Sequence, residues 1–138
     1  MKRPRFLIGI DPGKKTGVAV WDRSGKKFTE IRTVGIVEAM ESVLSLHREQ
    51  PVELWFEDAR LRTWFGTKGA EAKQGAGSIK RDCSIWEEFC LCHGIVSRAV
   101  KPQRGSSKWS SVYFQNVTRW AGRTSEHARD AGALVFGG

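Results

Sequence analysis

An α/β fold built around a mixed sheet is what this sequence predicts, and three observations carry the prediction. Three short runs of strand-forming residues come first, separated by turn signals. The hydrophobic period then changes from that of a strand to that of a helix, and a fourth strand-like run follows a proline. From there helical and strand-like segments alternate.

Residues 6–10 (Phe-Leu-Ile-Gly-Ile) form a first strand that ends at Asp11. Pro12-Gly13-Lys14-Lys15 is a turn, and residues 16–21 alternate well enough for a second strand. Asp22-Arg23-Ser24-Gly25 is another turn, and residues 27–34 make a third strand. Short turns between the three imply an antiparallel meander. Ile36, Met40, Val43 and His47 then lie on one helical stripe, opened near Thr33 or Gly35 and stopped by Pro51. Residues 52–57 form a fourth strand, and the helical crossover before it sets it beside the first. Residues 60–77, punctuated by Gly66, Gly69, Gly75 and Gly77, are expected to be a long loop. Ser78 is expected to cap a helix over 78–93, closed by Gly94, with Ile79, Cys83, Trp86 and Cys90 as its main stripe. Ile85, Phe89 and Cys92 widen that apolar face toward a second subunit. Residues 95–100 are a fifth strand and 102–109 a basic connection. A helix over 110–117 follows, then a last one capped by Ser125 or Thr124 and running to Val135.

The chain has 138 residues, with 23 Lys and Arg against 15 Asp and Glu, for a net charge of +8. That length suits one domain, 1–138, with a core that needs neither disulfides nor a structural metal. The charge favours an acidic partner, nucleic acid before an anionic membrane surface. No apolar run is long enough to cross a bilayer, and Asp11-Pro12-Gly13 interrupts the first apolar stretch too early for a signal peptide. Cys83, Cys90 and Cys92 form no even disulfide framework, which suits a reducing compartment.

Asp11 ends the first strand and Glu57 the fourth, so adjacency of those strands would open both carboxylates at one sheet edge. Asp58 should point to the opposite face from Glu57. His127 and Asp130, three apart on the last helix, share a face. Each has a plainer reading, as a turn residue, a strand-end charge or a helix surface group. Together they form an oxygen-rich set suited to Mg²⁺ or Mn²⁺ rather than Zn²⁺. Two such ions about 4 Å apart would let a carboxylate cluster sit beside a polyanion and hydrolyse a phosphodiester. Two motifs are misleading. Gly9 to Lys15 lacks the spacing and hydroxyl residue of a P-loop. Cys90-Leu91-Cys92-His93 is too tightly spaced for structural zinc.

The opening Ile8-Gly-Ile-Asp-Pro-Gly-Lys-Lys-Thr-Gly17 resembles the first strand motif of the RuvC-type Holliday junction resolvases. Phe56-Glu57 resembles their second acidic position, Gly75 to Lys80 the start of their long central helix, and His127-Ala-Arg-Asp130-Ala their terminal motif. The resemblance covers nearly the whole chain in the right order and is closest to compact phage members. It implies an RNase H-like α/β fold, with a mixed five-stranded sheet, three antiparallel strands first and helices on both faces. It further implies a homodimeric endonuclease that cuts four-way DNA junctions symmetrically with two Mg²⁺ ions per site, Mn²⁺ substituting, in the cytoplasm of a bacterial or phage-infected cell. Asp11, Glu57 and Asp130 become metal ligands, and His127 a ligand or the group that places water. Lys108 falls where the family has a basic residue near the site.

Lys14, Lys15, Arg60, Arg62, Lys68, Lys73, Lys80, Arg81, Arg104 and Lys108 are the main candidates for phosphate contacts, with Lys101, Arg119, Arg123 and Arg129 as further ones. Trp64 and Phe65 are a candidate wedge for an opened junction centre. The other tryptophans are expected in the core or an interface. The rival expectations are a broader RNase H-like nuclease acting on branched DNA, precursor RNA or RNA–DNA hybrids, and a non-catalytic structure-specific DNA-binding protein.

Overall fold

The computed structural model describes residues 3–61, 70–102 and 108–138, with the side chains of 70–76 outside the description. Strands β1 (Phe6–Asp11), β2 (Lys15–Asp22) and β3 (Lys27–Gly35) are followed by helix α1 (Ile36–Glu49) and strand β4 (Glu53–Glu57). A 3-10 turn at Ala59–Leu61, α2 (Ala70–His93), β5 (Val96–Val100), α3 (Ser111–Thr118) and α4 (Glu126–Val135) complete the order. The sheet runs β3-β2-β1-β4-β5. β1, β2 and β3 are antiparallel neighbours, whereas β4 lies parallel to β1 and β5 parallel to β4. This is the mixed sheet that the sequence predicts, with β4 beside β1.

Strand alternation divides the interior into two cores. Ile8, Ile10, Val18, Val20, Leu54 and Phe56 face α1 and α2, where Val43, Cys83, Trp86 and Cys90 meet them. Leu7, Ala19, Trp21, Phe28 and Ile31 face the other way, toward Phe114 of α3 and Ala128, Ala131 and Val135 of α4. Four of the tryptophans (Trp21, Trp55, Trp109 and Trp120) belong to the second core or pack against it, and Trp86 is fully buried in the first.

One element differs from expectation. The second helix starts at Ala70, not at Ser78, so part of the expected loop is helical. Ala70-Glu-Ala-Lys-Gln are strong helix formers, and their summed preference outweighs about 1 kcal/mol per interior glycine at Gly75 and Gly77. The expected stripe is also shorter. Cys83, Trp86 and Cys90 are buried, but Ile79 is exposed; Ile85, expected on the wider face, and Leu91 are exposed too. Among the described residues no helix is long and apolar enough to cross a membrane.

At the far end of β2 the Asp22 carboxylate accepts hydrogen bonds from Arg5 Nε at 3.0 Å and Nη2 at 3.1 Å, and from the Ser24 amide at 3.0 Å. The Arg5 contact leads in holding Asp22 down to about 2. A depressed folded-state value stabilises the fold above the unfolded value and loses that effect as pH falls through the folded one. The melting temperature of Asp22→Asn should therefore lie below that of the parent at neutral pH. The gap should narrow as pH falls from about 4 toward the folded-state value, as followed by circular dichroism. A gap independent of pH would contradict the assignment.

Candidate active site

Two glycines determine where the last helix lies. A β-carbon at Gly9 would stand 2.2 Å from the Ala131 carbonyl oxygen, and one at Gly17 would stand 2.0 Å from that of His127. No side chain fits either position, so α4 rests directly on the backbone of β1 and β2. Ala128, Ala131, Gly132 and Val135 form its buried face. The Ser125 hydroxyl caps it by accepting from the Ala128 amide at 3.1 Å, and also contacts the Thr33 hydroxyl of β3.

Gly17 is the register partner of Asp11. The space above it admits His127, whose Nδ1 lies 2.8 Å from Asp11 Oδ2. With the carboxylate ionised, Nδ1 carries the proton and donates. Asp11 is 8% exposed, and burial, reinforced by the nearby Asp130 charge, raises its pKa against the pull of His127 and Lys108. Asp130, one helical turn beyond His127, accepts from Lys108 Nζ at 3.1 Å, and Glu126 accepts from the same ammonium at 3.4 Å. Burial acts to lower the Lys108 pKa, but the two carboxylates outweigh it, so the value is raised and the ammonium stays charged.

Glu57 ends β4 one residue after Phe56, the partner of Ile10. Alternation sets it on the same face as Trp55 and Asp11. Asp58 occupies the other side, as expected. It is buried and accepts from the Arg60 amide at 2.9 Å and from Arg60 Nε and Nη2 at 2.9 and 2.8 Å. Burial acts to raise its pKa, but Arg60 outweighs that and the value is lowered. Asp58 is thus held as one half of an ion pair.

The structure brings Asp11, His127, Asp130 and Lys108 into one cluster, with Glu57 at the adjoining strand end. Among the described residues no group of three or more His, Cys, Asp or Glu side chains has metal-holding spacing as the side chains stand. Asp11 is instead in contact with His127, and Asp130 with the Lys108 ammonium.

The proposed phosphate contacts fall into three sets. Lys14 and Lys15 are exposed in and just after the turn following Asp11, and Arg81 is exposed on α2. Lys80 is half-buried. Arg60 is bound to Asp58 and to Glu87, the latter at 2.9 Å. Arg129 donates to the carbonyls of Trp109 at 3.1 Å and Thr124 at 2.7 Å, tying down the segment before α4. Arg62, Trp64, Phe65, Lys68 and Arg104 lie outside the described residues, as does the side chain of Lys73.

Sequence reasoning missed two features. Glu126 as a second anchor for Lys108 has no local signal, because the pairing spans 18 residues. Gly17 carried one: glycine inside a strand marks close backbone approach.

No protein-family model matches the chain, and no curated protein sequence matches it. Among solved structures it is similar to T. thermophilus RuvC in complex with a Holliday junction substrate, with a TM-score of 0.61 and 17% identity, over 95% of this chain and 90% of that one. At that identity the likeness is one of fold. The fold is RuvC-like, of the RNase H type.

The glycine contacts give predictions of opposite sign. Gly17→Ala should destabilise the protein by about 3 kcal/mol, because backbone must move. Gly77→Ala, exposed in a helix with nothing within 4 Å of the added carbon, should stabilise it by about 0.5–1 kcal/mol. Urea unfolding of both variants checks the pair; a neutral Gly17→Ala would mean that α4 is not held against β2.

Proposed function

We propose that this protein is a divalent-metal-dependent endonuclease that resolves four-way DNA junctions. It acts as a homodimer whose two sites make paired cuts, leaving 5′-phosphate and 3′-hydroxyl ends. The observation that carries this reading is the buried Asp11 carboxylate at the end of the central strand, in contact with His127 and beside Asp130, on a RuvC-like sheet. The solved RuvC with that fold is in complex with a Holliday junction substrate, and the net charge of +8 suits a polyanionic partner.

The donor chemistry fits a hard cation. Asp11, Glu57 and Asp130 are carboxylates, and the raised pKa of Asp11 reflects negative charge that burial and Asp130 leave under-compensated. These three would hold Mg²⁺ or Mn²⁺, and His127, with only Nε2 left, either joins them as a ligand or places the attacking water. Bound divalent ions supply a nucleophilic water at neutral pH and neutralise charge on the phosphate and the departing 3′ oxygen.

The protein's own groups do the rest. Asp11 orients the His127 ring through Nδ1, leaving Nε2 to accept a proton from, or position, the attacking water. Lys108 keeps its proton and offers a fixed positive charge to the phosphate, with Glu126 as an anchor independent of Asp130. Lys14 and Lys15 follow Asp11 by three and four residues, and Lys15 opens β2 at the end of the sheet where Asp11 closes β1, within reach of a phosphate held there. Pairing of two copies, partly through the exposed side of α2 with Ile85 and Leu91, would give two sites related by the symmetry of the junction.

A cleavage panel with Mg²⁺ tests the proposal, comparing four-way junctions, flaps, plain duplex and RNA–DNA hybrid with strand-end mapping. Junctions should be cut in pairs and preferentially. Loss of several kcal/mol of charge stabilisation in Asp11→Asn should lower the rate about 10²- to 10³-fold while junction binding persists. Preferred cutting of the hybrid would identify a broader RNase H-like nuclease. Binding without cutting by the parent chain would identify a structure-specific binding protein.

A further inference from the structure

Beside Lys108, the start of α3 forms an open groove lined by Lys108, Trp109, Ser110 and Tyr113. Its floor is firmly built. The Trp109 ring packs against Phe114 and Phe136, each at 5.9 Å between centroids, and the Trp109 carbonyl is held by Arg129. Tyr113 stands edge-on to Trp109, with centroids 5.2 Å apart and planes at 79°. Its position is set by the cap, since the Ser110 hydroxyl accepts from the Tyr113 amide at 3.1 Å. Tyr113 is 51% exposed, and the neighbouring Val112 is exposed on the same helix. A half-exposed aromatic ring is not accounted for by the core beneath it.

The groove is continuous with the candidate active site, because its Lys108 is the residue bonded to Asp130. One end therefore offers a fixed positive charge and the other an aromatic face. A nucleotide has the same polarity, an anionic phosphate joined to a flat base. We propose that the Trp109–Tyr113 groove is a base-stacking subsite, which takes the unstacked base of the nucleotide whose phosphate lies at Lys108. The inference rests on the nuclease reading for the identity of that phosphate. The subsite itself recognises any base by its flat face, so it favours strand distortion over sequence. It fixes the register of the strand relative to Asp11, His127 and Asp130, so an unpaired nucleotide beside the cut is preferred to continuous duplex.

The test is fluorescence of 2-aminopurine placed next to the crossover of a four-way junction and, separately, in a single-stranded oligonucleotide, both with metal chelated. Stacking on the groove should quench the probe. Tyr113→Ala should abolish the tyrosine-dependent quenching and weaken binding of the single strand about tenfold. Tyr113→Phe, which keeps the ring, should behave as the parent does. An oligonucleotide with an abasic site in place of the probe should bind the parent and Tyr113→Ala alike. Equal quenching by the parent and Tyr113→Ala would overturn the proposal, as would failure of Tyr113→Phe or a tenfold loss on the abasic strand. The readout needs no cleavage. A parent chain that quenches but does not cut would reject the nuclease reading alone, and one that cuts junctions with no Tyr113-dependent quenching would reject the subsite alone.

Discussion

The contact of α4 with two glycines of the sheet is the constraint from which the candidate site follows. Helices usually ride on a sheet at a distance set by side chains on both surfaces. Here Gly9 and Gly17 remove the sheet's share of that layer, and the carbonyls of Ala131 and His127 occupy the space. The helix sinks by about one side chain. The short His127 ring can then reach Asp11 directly, although the two residues are 116 positions apart. A helix at the ordinary height would leave Asp11 to solvent and remove the burial that raises its pKa.

The electrostatics follow from that geometry. The cluster is rich in carboxylates, yet the chain as a whole is strongly basic. Its buried acid is balanced at short range by groups on α4 and on the segment before α3. Lys108 bridges Asp130 and Glu126, and Arg129 fixes the backbone that carries Trp109, the residue after Lys108. Lys108 and Trp109 are therefore both tied to α4, the helix that supplies His127 and Asp130. Site and groove share this anchoring.

Much of the arrangement was legible in the sequence, for physical reasons. Asp11 and Glu57 each close an apolar run, and the helical crossover between their strands dictated adjacency, so their common edge could be read. The spacing of His127 and Asp130 gave their shared face, and Ser125 gave the cap. Asp58 was separable from Glu57 by alternation alone. The start of α2 was not legible, because glycines broke a pattern that Ala70 to Gln74 nonetheless carried as helix. Pairings between distant segments left no local trace. Lys108 with Glu126, Arg60 with Glu87 and Arg129 with the Trp109 carbonyl each depend on how elements pack. The aromatic groove was hidden for a similar reason, since Trp109 was expected in the core or an interface and no local pattern marks Tyr113, which the helix begun at Ser110 turns outward.

The division of β1 between two cores bears on how such a chain can vary. Ile8 and Ile10 belong to one side of the sheet, and Leu7, Gly9 and Asp11 to the other. Inserting or deleting one residue within this strand would exchange the sides. The carboxylate would be delivered into the apolar layer around Trp86, and an isoleucine would be driven against the Ala131 carbonyl. The spacing from Leu7 to Asp11 is thus a reading frame for the fold. Length changes between relatives should be confined to the turns between strands, where no alternation has to be kept.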